Sequence, residues 1–209
     1  MTQTTRPTNK RPPTETRNLM LKAIGTLLET RAPWDIRASD VAAASGTAQP
    51  NFYSHFRNIE DAIMARGEQV WAFYPGERLA ALLNQGLASG DGAPLYRQFF
   101  VDVIDFWAAH GGVLRAMSRL PGDEHPAVLE VRHRAQGPVL DVCEQAIRHS
   151  QAQGALPALL LPRLAANGAL RFIDEAANHF GAITDIGAYD RDASVATLAD
   201  MFRRLLTGR

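Results

Sequence analysis

A single cysteine, Cys143, stands in 209 residues, which excludes an intramolecular disulfide framework and fits a reducing compartment. Its neighbours Val139 and Val142 favour a buried structural thiol over a redox switch. No apolar run reaches the roughly 18 residues that a membrane span requires, and the N-terminus is polar and proline-punctuated where a signal peptide would carry an apolar core. A soluble cytoplasmic protein with no membrane partner is therefore expected. Catalytic groupings are just as scarce. His110, His125, His133, His149 and His179 lack the close spacing of a metal site. There is no G-x-S-x-G, no phosphate-cradling glycine loop and no evident base partner for Cys143. Neither metal, cofactor nor enzymatic activity is expected. Net charge is missing as well, since 22 basic residues face 22 acidic ones.

The distribution of that charge is uneven. Residues 1–57 hold eight basic and four acidic side chains, so this end carries +4 and the remainder −4. Such asymmetry is a sign of a nucleic-acid-binding end joined to something else. The first thirteen residues, MTQTTRPTNKRPP, lack apolar periodicity. They are expected to form a disordered basic arm, either following DNA or simply solvated.

Residues 38–56, ASDVAAASGTAQPNFYSHF, are the most informative stretch. Val41, Ala42 and Ser45 share the small-residue face of one short helix, and Gly46 supplies the permissive backbone of a tight turn. Pro50 fits the first turn of a second helix beginning near Ala48. In that helix Phe52 and Phe56, four residues apart, anchor inward, leaving Gln49, Asn51, Tyr53, Ser54 and His55 with hydrogen-bonding groups outward. This is the pattern of a helix-turn-helix entering a major groove; a polar surface helix beside a glycine turn is the other reading.

With its flanks, this segment resembles the DNA-binding domain of the TetR family of bacterial transcriptional regulators. The residues that carry the likeness are Trp34, Ile36, Asp40-Val41-Ala42, Ser45-Gly46, Phe52-Tyr53-Ser54-His55-Phe56 and Glu60-Asp61. Three positions depart from the family pattern: Arg37 stands at the helix cap, Thr47-Ala48 after the turn, and Ile59 where a lysine is usual. Thr47 is expected to cap one residue early and Arg57 to replace the phosphate-binding lysine. The resemblance implies double-stranded operator DNA as partner, contacted through Arg37, Ser39, Thr47, Gln49, Pro50, Asn51, Tyr53, Ser54, His55 and Arg57. It further implies a helix-turn-helix domain over 14–60, followed by a ligand-binding and dimerisation domain over 61–209.

The rest of the chain reads as helices joined by Gly/Pro breaks, with no alternating strand pattern, so an all-α fold of about nine helices is expected. The first should span about 14–30, with Leu19, Met20, Ala23, Ile24, Leu27 and Leu28 inward and Ala32-Pro33 ending it. Asn58 should cap the fourth, which carries Asp61 in its first turn and Ile63, Val70 and Trp71 on its apolar face, with an interruption at Pro75-Gly76. Further helices are expected over about 94–110, 113–120, 126–153, 162–180 and 190–207. Gly137-Pro138 should kink the helix over 126–153.

Tyr96, Phe99, Phe100, Val103, Phe106 and Trp107 give the 94–110 helix more aromatic bulk than a surface helix needs, so they form either core or a pocket wall. Asn167 sits among Leu164, Ala165, Ala166, Ala169 and Leu170, where an amide must find a partner or a ligand. A weaker similarity, to the TetR branch containing the mycobacterial repressor of ethionamide activation, puts Tyr96, Val103, Trp107, Val131, Ala135, Asn167 and Leu170 along a hydrophobic tunnel. The candidate ligand-binding residues are thus Tyr96, Phe100, Val103, Trp107, Val131, Asn167 and Leu170, for a small hydrophobic effector. Val195, Leu198, Ala199, Phe202, Leu205 and Leu206 make an apolar stripe on the last helix. With Phe172, Ile173, Ala176 and Phe180 on the preceding one, it is expected to form a homodimer interface through helices 8 and 9. The function expected is a repressor released from a palindromic operator by that effector. The alternatives are a TetR-like activator or a helical protein-interaction module that does not bind DNA.

Overall fold

The computed structural model describes residues 12–89, 91–120, 126–185 and 189–209. The basic arm expected over 1–13 therefore lies almost entirely outside the described residues. Among the described residues there are nine α-helices, a short 3-10 turn and no strand, which is the all-α architecture expected from the sequence. No helix among them is long and apolar enough to cross a membrane.

The chain divides into two compact units. The smaller holds residues up to Gly67 together with a segment beginning at Gly112. Its first helix, α1 (Pro13–Leu28), begins with a proline, whose missing N–H does no harm in a first turn. Met20, Leu21, Ile24 and Leu28 are buried, whereas Leu19 and Leu27, expected inward, are half-buried. The buried stripe is thus turned slightly from the expected one, taking in Leu21 at the 3.6-residue period. After the 3-10 turn Pro33–Asp35 come α2 (Ala38–Ala44) and α3 (Gln49–Tyr53). Gly46, at φ 65°, makes the turn between them in the left-handed region that side chains avoid. The next helix, α4 (Ile59–Ala72), is capped as expected: the Asn58 side-chain oxygen accepts the Asp61 N–H at 2.8 Å.

The larger unit holds Glu68–Gly111 and the chain from His125 onward. Pro75-Gly76 does interrupt the helical run, and α5 (Gly76–Ala88) starts there. One expectation fails in α6 (Ala93–Arg119), which is a single helix where two were expected, broken at Gly111-Gly112. The reason is packing. A Cβ on Gly112 would lie 2.8 Å from the Leu28 carbonyl oxygen, so that glycine admits α1 and does not end the helix. Helix α7 (Pro126–Ala152) contains Pro138 and stays helical on both sides of it, α8 (Pro162–Asp185) outlasts its expected end, and α9 (Arg191–Thr207) begins at Asp190, whose carboxylate accepts the Ala193 N–H at 3.0 Å.

Helix α7 packs against α5, α8 and α9. Four phenylalanines fill the middle of this unit. Phe202 stacks on Phe99, with ring centres 5.5 Å apart and an interplanar angle of 5°, lies parallel to Phe172 at 6.4 Å, and meets Phe100 edge-on at 5.7 Å. Cys143 is fully buried, and burial pushes its thiol up to about 12, as a structural cysteine requires.

The apolar stripe on α9 needs correction. Val195, Ala199, Phe202 and Leu206 are buried within their own chain, closing this core instead of offering an interface. Only Leu198, half-buried, and Leu205, 50% exposed, flank that seam outward. The i, i+4, i+7, i+11 positions form the narrow seam, and the residues one step round the helix are the ones left for solvent.

Candidate nucleic-acid interface and interior sites

Helices α2 and α3 owe their fixed pairing to small groups in the turn. Thr47 N–H donates to the Ala42 carbonyl at 2.9 Å, and the Ser45 and Thr47 hydroxyls meet at 3.0 Å over the same carbonyl. Thr47 therefore locks the turn and does not cap α3, correcting the expected role; the α3 N-cap residue, Ala48, has no side-chain oxygen to offer. At the α2 cap Arg37 likewise has no acceptor, and the bond there runs the other way, from the Arg37 N–H to the Asp40 carboxylate at 2.9 Å.

Phe52 and Phe56, both buried, hold α3 down, with ring centres 5.5 Å apart and the Arg17 guanidinium 5.1 Å from the Phe56 ring centre. The opposite side of α3 is open. Gln49, Pro50, Asn51, Tyr53 and Ser54 are exposed, as are Arg37, Ser39 and Arg57; Thr47 and His55 are half-buried. Tyr53 is 59% exposed yet braced, its ring edge-on to Phe52 at 5.4 Å. Eight of the ten expected contact residues lie within α3 or next to it in the chain, while Arg37 and Ser39 stand at the start of α2.

Two carboxylates of this region are matched by cations. Asp40 pairs with Arg31 at 3.3 Å, and Asp61 accepts the Arg57 N–H at 3.0 Å while the Arg57 guanidinium stands 3.8 Å away. With its side chain 85% exposed, Arg57 remains available to a phosphate. Sequence reasoning missed Arg31. Its pairing to a residue nine positions on crosses between elements, which no helical periodicity reveals.

In the larger unit the expected ligand residues separate. Phe100 and Val103 are fully buried in the phenylalanine core, Leu170 is buried, and Val131 is half-buried. Asn167 is exposed, and its amide donates to the Arg163 carbonyl of its own helix at 2.8 Å. It is no pocket group: an amide whose partner lies one turn back can stand in solvent among apolar neighbours in sequence.

Trp107 leads instead to a polar interior that the sequence reading did not anticipate. Asp174 on α8 is buried; its two carboxylate oxygens accept from the Gln136 amide nitrogen at 3.1 and 3.2 Å, and one of them accepts an Arg132 N–H at 3.4 Å. The Gln136 carbonyl in turn accepts the Arg132 Nε–H at 3.2 Å, and the Arg132 guanidinium lies 5.6 Å from the Trp71 ring centre. Burial outweighs these partners and raises the Asp174 carboxyl above the usual aspartate range. Two buried donors border the group: the Trp107 indole N–H, which acts on Asp174 without completing a hydrogen bond, and the Tyr74 hydroxyl, which lies beside Gln136 in the same condition. The signal available in sequence was Arg132 and Gln136 at i, i+4, and Asp174 directly after Phe172-Ile173 on the apolar side of its helix.

Tyr96 lies elsewhere, in the wall of a cleft of about 510 Å³ formed by the ends of α5, α7 and α9 and the turn into α6.

No protein-family model matches the sequence, and no curated protein matches it. Solved structures are similar over nearly the whole chain. NalD of Pseudomonas aeruginosa, the secondary repressor of the MexAB-OprM multidrug efflux pump, is 20% identical, with 94% of this chain and 98% of that one covered and a TM-score of 0.63. A TetR-family transcriptional regulator from Streptomyces coelicolor is 15% identical, over 92% of this chain and 80% of that one, at a TM-score of 0.62. FadR from Bacillus subtilis, in complex with stearoyl-CoA, is 13% identical, over 95% of this chain and all of that one, at 0.55. These likenesses do not single out the ethionamide branch. With a small helix-turn-helix unit, a larger helical unit and similarity running across both, the chain has the fold of TetR-family regulators.

Proposed function

We propose that the chain is a transcriptional repressor that binds a palindromic stretch of double-stranded DNA as a homodimer and releases it when a small, largely apolar effector enters the larger unit. The observation that carries this reading is α3: a short helix pinned from beneath by Phe52 and Phe56, whose outward residues are almost all hydrogen-bonding groups. Gln49 and Asn51, at its N-terminal end, suit base edges, while Tyr53, His55 and Arg57 suit the phosphate backbone. Selection from random duplexes should enrich a palindrome with half-sites about 34–36 Å apart, bound with an affinity that falls steeply with salt. Failure to enrich any duplex, or enrichment that persists unchanged in Gln49→Ala/Tyr53→Ala, removes this helix from the reading role. A reporter silenced by the wild-type protein identifies a repressor, and one raised by it an activator.

The homodimer would use the outward sides of the last two helices. Leu161 just before α8, Leu164 in its first turn, and Met201 and Leu205 on α9 are large apolar residues exposed in the single chain. Leu164→Asp with Leu205→Asp should yield folded single subunits by sedimentation; an intact dimer would place the interface elsewhere.

For the effector, the support lies beside Trp107. Two buried donors without completed hydrogen bonds, in a setting of Trp71, Tyr74 and Phe106, match an apolar body carrying one acceptor. Bacillus subtilis FadR, of similar fold, has been solved in complex with stearoyl-CoA, a precedent for a protein of this fold binding a ligand with a long apolar chain. Helices α4 and α6 contribute residues to both units, so an effector that favours one setting of these helices would shift the DNA-binding population by its differential affinity. Thermal-shift screening of hydrophobic amides and esters, followed by operator-release titration of wild type and Trp107→Phe, tests this placement. Release unaltered by Trp107→Phe for every stabilising compound puts the effector elsewhere.

A further inference from the structure

We infer that the cleft at the ends of α5, α7 and α9 is a second ligand site, one that takes a small organic anion: a carboxylate or phosphate on a short apolar body. This goes beyond the effector reading and does not depend on DNA binding. Its lining includes Arg203, Arg209 and His149, and no carboxylate side chain. Asp91, next to the lining in sequence, is engaged at the start of α6, accepting the Ala93 N–H at 3.4 Å. A concave surface lined by two arginines and by no Asp or Glu side chain favours anions, although Asp200, outside the lining, pairs with Arg203.

The guanidinium groups keep donors in reserve. Arg203 directs two N–H groups to Asp200 at 2.6 and 3.2 Å, and Asp200 is itself shared with Arg204 at 2.6 Å. Arg209 directs one to the Gln153 side-chain carbonyl at 2.9 Å. A guanidinium carries about five donors in a fork that matches two oxygens of one acid group, so each retains the capacity for a bidentate contact. Across the cleft Leu87, Val142 and Ala146 give an apolar wall for the rest of the ligand.

The backbone is shaped to hold these groups together. Gly208, at φ 73°, ends α9 in the left-handed region, and its own lack of a side chain lets the chain close onto the Ala155 carbonyl. That turn brings Arg209 back to Gln153, in the turn just after α7. On the opposite side, a Cβ on Gly86 would press on the Tyr96 ring at 3.2 Å, so the glycine allows the ring to lie flat in the wall.

The test is calorimetric titration of the full chain with benzoate, phenyl phosphate, inorganic phosphate and the neutral benzamide. At least one organic anion should bind about tenfold or more tightly than benzamide, and more tightly than inorganic phosphate, with an affinity that falls as salt rises. The preferred anion tells carboxylate from phosphate. Arg203→Gln with Arg209→Gln should weaken that anion about tenfold or more and leave benzamide unchanged. Gly208→Ala, which displaces Arg209 without removing any charge, should weaken it as well. The inference is overturned if benzamide binds as tightly as both anions, if inorganic phosphate matches phenyl phosphate and exceeds benzoate, if neither anion binds, or if the double variant, with an unaltered melting curve, keeps full anion affinity.

Discussion

Around α3 the polar side chains face outward from a helix held by two phenylalanines, whereas around α7 and α8 the polar groups of greatest consequence, Arg132, Gln136 and Asp174, face inward and hold each other. In the smaller unit the chemistry is local: five residues of α3 and a glycine turn set which groups meet solvent. In the larger unit it is assembled from positions 42 and 38 residues apart in the chain, at 3.1 to 3.4 Å. A surface site built on one element can be read from spacing alone, while an interior site built across elements appears only once the helices are packed.

The sharpest way to break this contrast is Phe202→Asp. A charge forced among Phe99, Phe100 and Phe172 has no partner, and a cost of several kcal/mol should abolish cooperative unfolding of the larger unit by calorimetry. A variant that stays folded and merely loses its dimer would restore the interface role expected from sequence. Next in size is Gly112→Ala, in which the added methyl meets the Leu28 carbonyl at 2.8 Å. It should lower stability by about 1 to 3 kcal/mol in denaturant unfolding. An unchanged midpoint would mean that the helix gives way and that close packing does not require this glycine.

Comparable but confined to binding, Gln49→Ala or Asn51→Ala should cost about 1 to 3 kcal/mol on the selected operator with little loss on other sequences. Arg57→Ala should weaken every sequence and lower the salt slope by about one, measured as log affinity against log salt. Equal losses on all duplexes for both kinds of variant would erase the distinction between base-facing and phosphate-facing groups. The smallest effect belongs to Asn167→Leu. Because its amide is exposed and satisfied within α8, subunit stability should change by no more than about 0.5 kcal/mol. A large loss would make it a core amide after all.

Legibility followed the same division. The turn at Gly46, the anchors Phe52 and Phe56, the Asn58 cap and the break at Pro75-Gly76 all rest on rules that span four residues or fewer, and each is found where the pattern places it. The joined α6 was illegible because a glycine pair inside a helix looks the same whether it ends the helix or admits a neighbour, and here the neighbour is the Leu28 carbonyl. Periodicity marked the α9 stripe correctly as apolar but carried no information on which surface would cover it. Asn167 was misplaced because its amide closes onto its own helix, a partner that the surrounding apolar residues conceal.

The sole thiol of the chain also makes the protein a convenient spectroscopic subject. Cys143 is fully buried, and its proton is held to about 12, so the native fold presents no reactive thiolate to maleimides or methanethiosulfonates at neutral pH. A cysteine introduced at the exposed Asn51 would then be the one labelled position in each subunit. Spin labels there, in the proposed homodimer, would report the separation of the two α3 helices directly, with and without a bound molecule and without any background mutation.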